Sequence, residues 1–162
     1  MLFRSEQVVA DAVSSAFDSA GQRCSALRVL CLQADIAEGV LTMLKDAMTK
    51  LTLGDPRRLD TDVGPVIDAE ALAALSRHVA RMRSAGAAVF ELPLPAHCAS
   101  GSFFPPTLIE IERVGQLEGE VFGPVLHVLR YREGELAALI ASINAAGYGL
   151  TQIGRASCRE RV

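Results

Sequence analysis

The feature that most narrows the fold is an alternation between short apolar runs and longer stretches whose apolar residues recur every three or four positions. ALRVLCL (26–32), AAVFEL (87–92), FFPPTLIEI (103–111) and VLHVLRY (125–131) each have the length of a strand. The double proline at 105–106 holds the third of these extended as it begins. Between the runs, Val9, Val13, Ala16, Phe17 and Ala20 line one face of a helix over 7–20, with Gly21 placed to end it. Ile36, Val40, Leu44, Met48 and Leu51 predict a second buried stripe behind an Asp35 N-cap. A third helix starts after Asp68, buries Leu72, Leu75, Val79 and Met82, and stops at Gly86. A fourth, over 134–146, buries Leu136, Leu139, Ile140 and Ile143 before Gly147. Strands and helices taking turns predict an α/β fold with a mostly parallel sheet flanked by helices. GDPRRLDTDVGP (54–65) and PLPAHCASGS (93–102) read as loops, and no linker or repeat divides the chain.

Composition excludes several classes of function. Half of the residues are hydrophobic and 22% charged, which is the balance of a globular chain and not a disordered one. No apolar run approaches the ~20 residues that cross a bilayer, and no secretory signal opens the chain. A net charge of −3, with no basic patch among aromatics, gives no pull toward nucleic acid. Cys24, Cys31, Cys98 and Cys158 are widely separated without a C-x-x-C pair, so no metal site is expected. They read as reduced thiols of a cytoplasmic protein.

Both ends look foreign to what lies between them. MLFRS (1–5) and the Arg-rich 152–162 resemble translated sequencing-adapter DNA, with Ile153 to Val162 fitting a single frame. They are expected to be adapter-like artefacts, leaving 6–151 as the biological segment of a longer protein. Without them the segment is more acidic than the whole chain.

Of the cysteines, Cys31 lies in an apolar run and Cys98 in a small-residue loop with no base beside it. Cys24 differs. It follows a helix terminator and precedes a buried strand, a position from which loops present residues to clefts. Arg23 beside it would favour the thiolate, whereas the negative end of the preceding helix would oppose it. The residues alone leave Cys24 open between a structural thiol and a nucleophile. Of the histidines, His78 is expected on a solvent-facing helix surface beside Arg77 and Arg81, His97 on a loop, and His127 within a strand. None has an Asp at a telling spacing, which argues against a Cys–His protease.

Five stretches in order carry a resemblance: SAGQRCSA (19–26), VGPVID (63–68), FFPPTLIEI, EVFGPVLHV (120–128) and NAAGYGLT (144–151). Together they resemble the aldehyde dehydrogenase superfamily across 6–151, which would then be part of its catalytic domain. The likeness is strongest to the glutamate-semialdehyde dehydrogenase half of bacterial bifunctional proline-oxidation enzymes. It implies oxidation of L-glutamate γ-semialdehyde to glutamate with NAD, with FAD belonging only to a proline dehydrogenase domain that this sequence lacks. By the same resemblance Cys24 is the nucleophile, forming a thiohemiacetal and then a thioester, with its backbone N–H in the oxyanion hole. Glu120 would grip the nicotinamide ribose hydroxyls, Phe122 would lie against the nicotinamide or its ribose, and Ser25 would bond the substrate carboxylate. Gln22 is not the oxyanion amide, which the family carries further upstream.

The general base, the dinucleotide-binding domain and the substrate-anchoring loop are likewise expected outside 6–151, so the segment alone should be inactive. The partner implied is a small aldehyde, and the parent a homo-oligomer. Three other readings stand beside this one: a dehydrogenase for another aldehyde or semialdehyde, a non-catalytic domain of the same fold, and a thiol hydrolase needing a histidine near Cys24.

Overall fold

The computed structural model describes residues 2–147. The 152–162 tail, Cys158 and the end of the 144–151 motif lie outside the described residues. Helix α1 (Leu2–Phe17) leads through a left-handed turn to strand β1 (Val29–Gln33), followed directly by α2 (Ala34–Met48). A long loop reaches α3 (Ala69–Ser84), then β2 (Val89–Glu91), β3 (Thr107–Ile111), β4 (Val125–Tyr131) and α4 (Leu136–Ala145). The strands form one sheet in the order β1-β4-β3-β2. β4 runs parallel to both β1 and β3, and the short β2 pairs antiparallel at one edge. The fold is α/β with a mostly parallel sheet, as the alternation of elements implied.

Strand alternation decides what each face meets. His127 pairs in register with Ile109 and points toward α3, where His78 receives it. Glu110 and Arg130 point the other way, toward α2. Lys45 reaches Glu110 at 3.2 Å, Arg130 reaches Glu110 at 2.7 Å, and Arg130 reaches Glu38 at 3.0 Å. Helices therefore cover both faces, and the central strand β4 is buried from Val125 to Leu129. Phe17, Leu41, Leu44 and Met48 fill the side where α1 and α2 pack, while Leu75, Val79 and Met82 line the inner face of α3.

Local chemistry accounts for where the helices begin and end. Asp68 caps α3, its Oδ1 accepting the Ala71 N–H at 2.8 Å, and Gly86 follows the helix at φ +84°. Three expectations are corrected. Asp35 is not the N-cap of α2; Gln33 holds that position with no side-chain bond, and Asp35 sits in the first turn, where its charge still suits the helix dipole. Ile36 falls off the buried stripe at 48% exposure, and Ala37 and Leu41 take the inward face with Val40 and Leu44. On α4 only Leu139 is buried, and Leu136 and Ile140 are exposed.

Helix α1 also ends earlier than its periodicity suggests. Ser19, Ala20 and Gly21 take left-handed conformations at φ 56°, 53° and 64°. Two of them carry a Cβ, which costs roughly 1–2 kcal/mol each in that region. Packing maintains the strain: Ala20 is buried, and a Cβ on Gly21 would collide with the Gly123 carbonyl oxygen. The turn before Cys24 thus lies against the loop before β4 at a distance only glycine allows. Gly21→Ala is expected to lower unfolding stability by about 2–4 kcal/mol, measured as a shift in the urea midpoint.

Candidate active site

The left-handed turn delivers Cys24 and Ser25 to the surface, both exposed, while Ala26 turns back into the core. Arg23 does not serve Cys24 as the sequence suggested. Its guanidinium donates to the Ser14 and Ser15 carbonyls at 3.1 and 3.2 Å, capping the end of α1. The negative end of that helix, which would oppose a thiolate, is met by this charge. Gln22 holds the opposite side, its Oε1 accepting the Ile67 N–H at 3.0 Å and pinning the loop that leads into α3.

Arg28, the last residue before β1, joins the Cys24 segment to the loop carrying Glu120 and Phe122. It donates to the Gly21 carbonyl, to the Arg23 carbonyl at 3.1 Å and to the Gly123 carbonyl at 3.4 Å. Its Nε meets Glu120 Oε1 at 3.3 Å, and its Cζ lies 4.7 Å from the centre of the Phe122 ring. Burial draws the Arg28 pKa down and Glu120 partly restores it, though an arginine stays charged throughout the physiological range. Phe122 is 44% exposed and so is not a core residue. A cleft of about 610 Å³ opens here, lined among others by Gln22, Ala71, Leu75, His78, Glu120 and Phe122.

Of the histidines, His127 lies in strand β4 and His97 in the 93–102 connection as expected, whereas His78 is placed differently. His78 is half-buried and does not face solvent, its Nε2 lying 2.9 Å from Nε2 of His127 with the rings edge to face. His127 is buried, with Nδ1 3.0 Å from the Arg28 carbonyl. Burial pushes its pKa down to about 4, against the pull of its bond to the Arg28 carbonyl. Burial and Arg81 lower His78 as well. His97 bonds the Leu53 carbonyl at 3.0 Å. All three histidines are thus engaged with partners other than Cys24, which removes the basis for a thiol hydrolase. Burial pushes the Cys31 and Cys98 thiols up, the opposite of activation.

Sequence reasoning missed Arg28 and the histidine pair. The available signals were a charged residue inside an apolar run and a histidine inside an apolar strand, but neither names its partner. Among the described residues, no cluster of His, Cys, Asp or Glu could hold a metal, and no helix is long and apolar enough to cross a membrane.

The chain as a whole has counterparts among known proteins. The chain belongs to the aldehyde dehydrogenase family, whose model matches residues 4–153. It is 58% identical over 151 residues to the bifunctional protein PutA of Salmonella typhimurium, covering 90% of this chain and 11% of that one. It superposes on a Bradyrhizobium japonicum proline utilization A variant with a TM-score of 0.84 at 48% identity, over 90% of this chain and 15% of the other. Staphylococcus aureus betaine aldehyde dehydrogenase, solved in complex with NAD+, gives a TM-score of 0.74 at 29% identity, over 79% and 26%. The chain therefore spans about a tenth of the length of its curated PutA relative.

Two outcomes follow from these contacts. Arg28→Met removes donors from three backbone carbonyls and a carboxylate, and should lower stability by about 2–4 kcal/mol, seen in urea unfolding. A folded-state pKa near 4 against an ordinary 6.5 makes His127 a source of stability that is complete above about pH 6.5 and lost as pH falls toward 4. The loss should total about 3 kcal/mol, and His127→Asn should flatten that part of the stability–pH curve.

Proposed function

We propose that residues 6–151 are part of an NAD-dependent L-glutamate γ-semialdehyde dehydrogenase that completes the oxidation of proline to glutamate in the cytoplasm. The observation that carries this reading is the locking of the exposed Cys24 turn onto the Glu120–Phe122 loop through Arg28 and the Gly21–Gly123 contact. The identity to PutA adds the substrate class, because that likeness extends well beyond the shared motifs.

The Cys24 thiolate adds to the aldehyde carbon, forming a C–S bond and moving the carbonyl electron pair onto oxygen. The Cys24 backbone N–H donates to that oxyanion. Collapse of the oxyanion restores C=O as the C–H bond breaks, and departure of that hydrogen as hydride leaves a thioester on Sγ. Water then attacks the acyl carbon, the C–S bond breaks, and the carboxylate departs from a regenerated thiolate. Water activation falls to a glutamate outside 6–151.

The residues present fit a nicotinamide dinucleotide. Glu120 offers a carboxylate to the vicinal hydroxyls of a ribose, and the half-exposed Phe122 ring offers a flat apolar surface at the rim of the cleft. The chemistry that group supplies when bound is acceptance of a hydride. Arg28 restrains both side chains, so that the face they offer is organised before anything binds. Ser25, exposed beside Cys24, is placed to bond the substrate carboxylate.

The test uses the longer dehydrogenase containing this segment, assayed for NADH formation from Δ1-pyrroline-5-carboxylate. Cys24→Ala should lower kcat by about a thousandfold or more. Glu120→Gln should raise the KM for NAD+ roughly tenfold while leaving Cys24 open to alkylation by iodoacetamide. Full turnover by the Cys24→Ala protein would overturn the assignment.

A further inference from the structure

The histidine pair has no part in the chemistry above, yet its buried member, His127, touches the residue on which the site is built. Hydrogen-bond bookkeeping along it closes in only one way. The Arg81 guanidinium, 3.3 Å from His78 Nδ1, can only donate, so that nitrogen accepts. Neutral His78 therefore carries its proton on Nε2 and gives it to Nε2 of His127. His127 then carries its own proton on Nδ1, directed at the Arg28 carbonyl. The same carbonyl also accepts the His127 backbone N–H at 2.9 Å, so one residue of β4 holds it twice. The opposite tautomer of His127 would set a lone pair against the carbonyl and an N–H against the N–H of His78.

We propose that His127, fixed as an Nδ1–H donor by His78 and Arg81, is a positioning residue that holds Arg28 and, through it, the Cys24 turn and Glu120. The inference rests on the reading of Cys24 and Glu120 given above. An imidazole at 1% exposure between the apolar residues Leu126 and Val128 is costly unless each nitrogen is satisfied, and here each is. Its effect is local and directional. The clamped carbonyl sits at the root of the side chain that contacts Gly21, Arg23, Gly123 and Glu120.

The charged groups facing the pair are Arg28 from the start of β1, Arg81 from α3, and Glu118 from the loop after β3, which lies 3.4 Å from Arg81. Two of the three are cations, and with burial they keep His127 neutral through the physiological range, preserving the tautomer. Protonation of His127 would turn its Nε2 from acceptor to donor and break the chain at His78.

The test compares His127→Leu with His127→Asn in the longer dehydrogenase, using Δ1-pyrroline-5-carboxylate and NAD+. Asparagine can return an N–H to the Arg28 carbonyl, whereas leucine cannot. The leucine protein should lose about ten- to a hundredfold in kcat and show a raised KM for NAD+. The asparagine protein should stay within about threefold of the parent, a difference of under ~1 kcal/mol in barrier, although the two melt within a few degrees of each other. Equal losses in both variants, following their melting temperatures, would reduce His127 to packing and overturn the proposal; so would a fully active leucine protein.

If the leucine protein does not fold, His78→Phe takes its place. It should lower kcat when His127 is present and have no further effect when His127 is asparagine, and equal losses in both backgrounds would overturn the proposal. Cys24→Ala, run alongside, separates the two levels. Activity surviving in it sinks the dehydrogenase reading itself. Its loss, with leucine and asparagine indistinguishable, sinks only the role of His127.

Discussion

Gly21 and Gly123 meet backbone to backbone, and the position of the Cys24 turn follows from that contact. A side chain at Gly21 would collide with the Gly123 carbonyl, and one at Gly123 would collide with Leu75 of α3. Two segments about a hundred residues apart can touch here because Gly21 carries no Cβ. The carbonyls brought together need donors, and Arg28 supplies them from the root of β1. The left-handed strain at Ser19 and Ala20 is the cost of bringing the chain to this point, and the contacts around it hold it there.

Charge in this region is distributed so that nothing buried stays ionised alone. Arg28 is mostly buried but serves three carbonyls and a carboxylate. Arg23 is turned onto the end of α1, so the helix end presents less negative potential to Cys24. The histidine pair beneath stays neutral because burial and the surrounding cations make a proton expensive. Cys24, Ser25, Glu120 and Phe122 remain exposed at the surface above this layer.

Much of the fold could be read directly from the residues, for reasons that are local. VLHVLRY is strand β4 over the predicted range, because a run buried on both faces has little freedom in where it starts or stops. Asp68 caps α3 because a short carboxylate side chain reaches the N–H three residues ahead. Asp35 and Ile36 were misplaced because α2 follows β1 without a loop: the chain is extended at Gln33, and the helix opens two residues earlier with its inward face rotated. The candidate site was legible in part. Cys24, Ser25, Glu120 and Phe122 were found through motifs, whereas Arg28, His78 and His127 act through partners far along the chain, which no local pattern encodes.

The sequence by itself determined the alternation of strands and helices, the ends of α3 that Asp68 and Gly86 set, and a set of motifs that places the chain in the aldehyde dehydrogenase family. Those properties depend on neighbours within a few positions, where periodicity and side-chain reach are enough. Only the tertiary structure decided that Arg23 turns away from Cys24, that His78 faces inward, and that Arg28 joins the cysteine turn to the glutamate loop. These are matters of which charge finds which acceptor once the sheet has assembled. Several donors compete for each carbonyl, and that competition is resolved by three-dimensional proximity, which linear order does not contain.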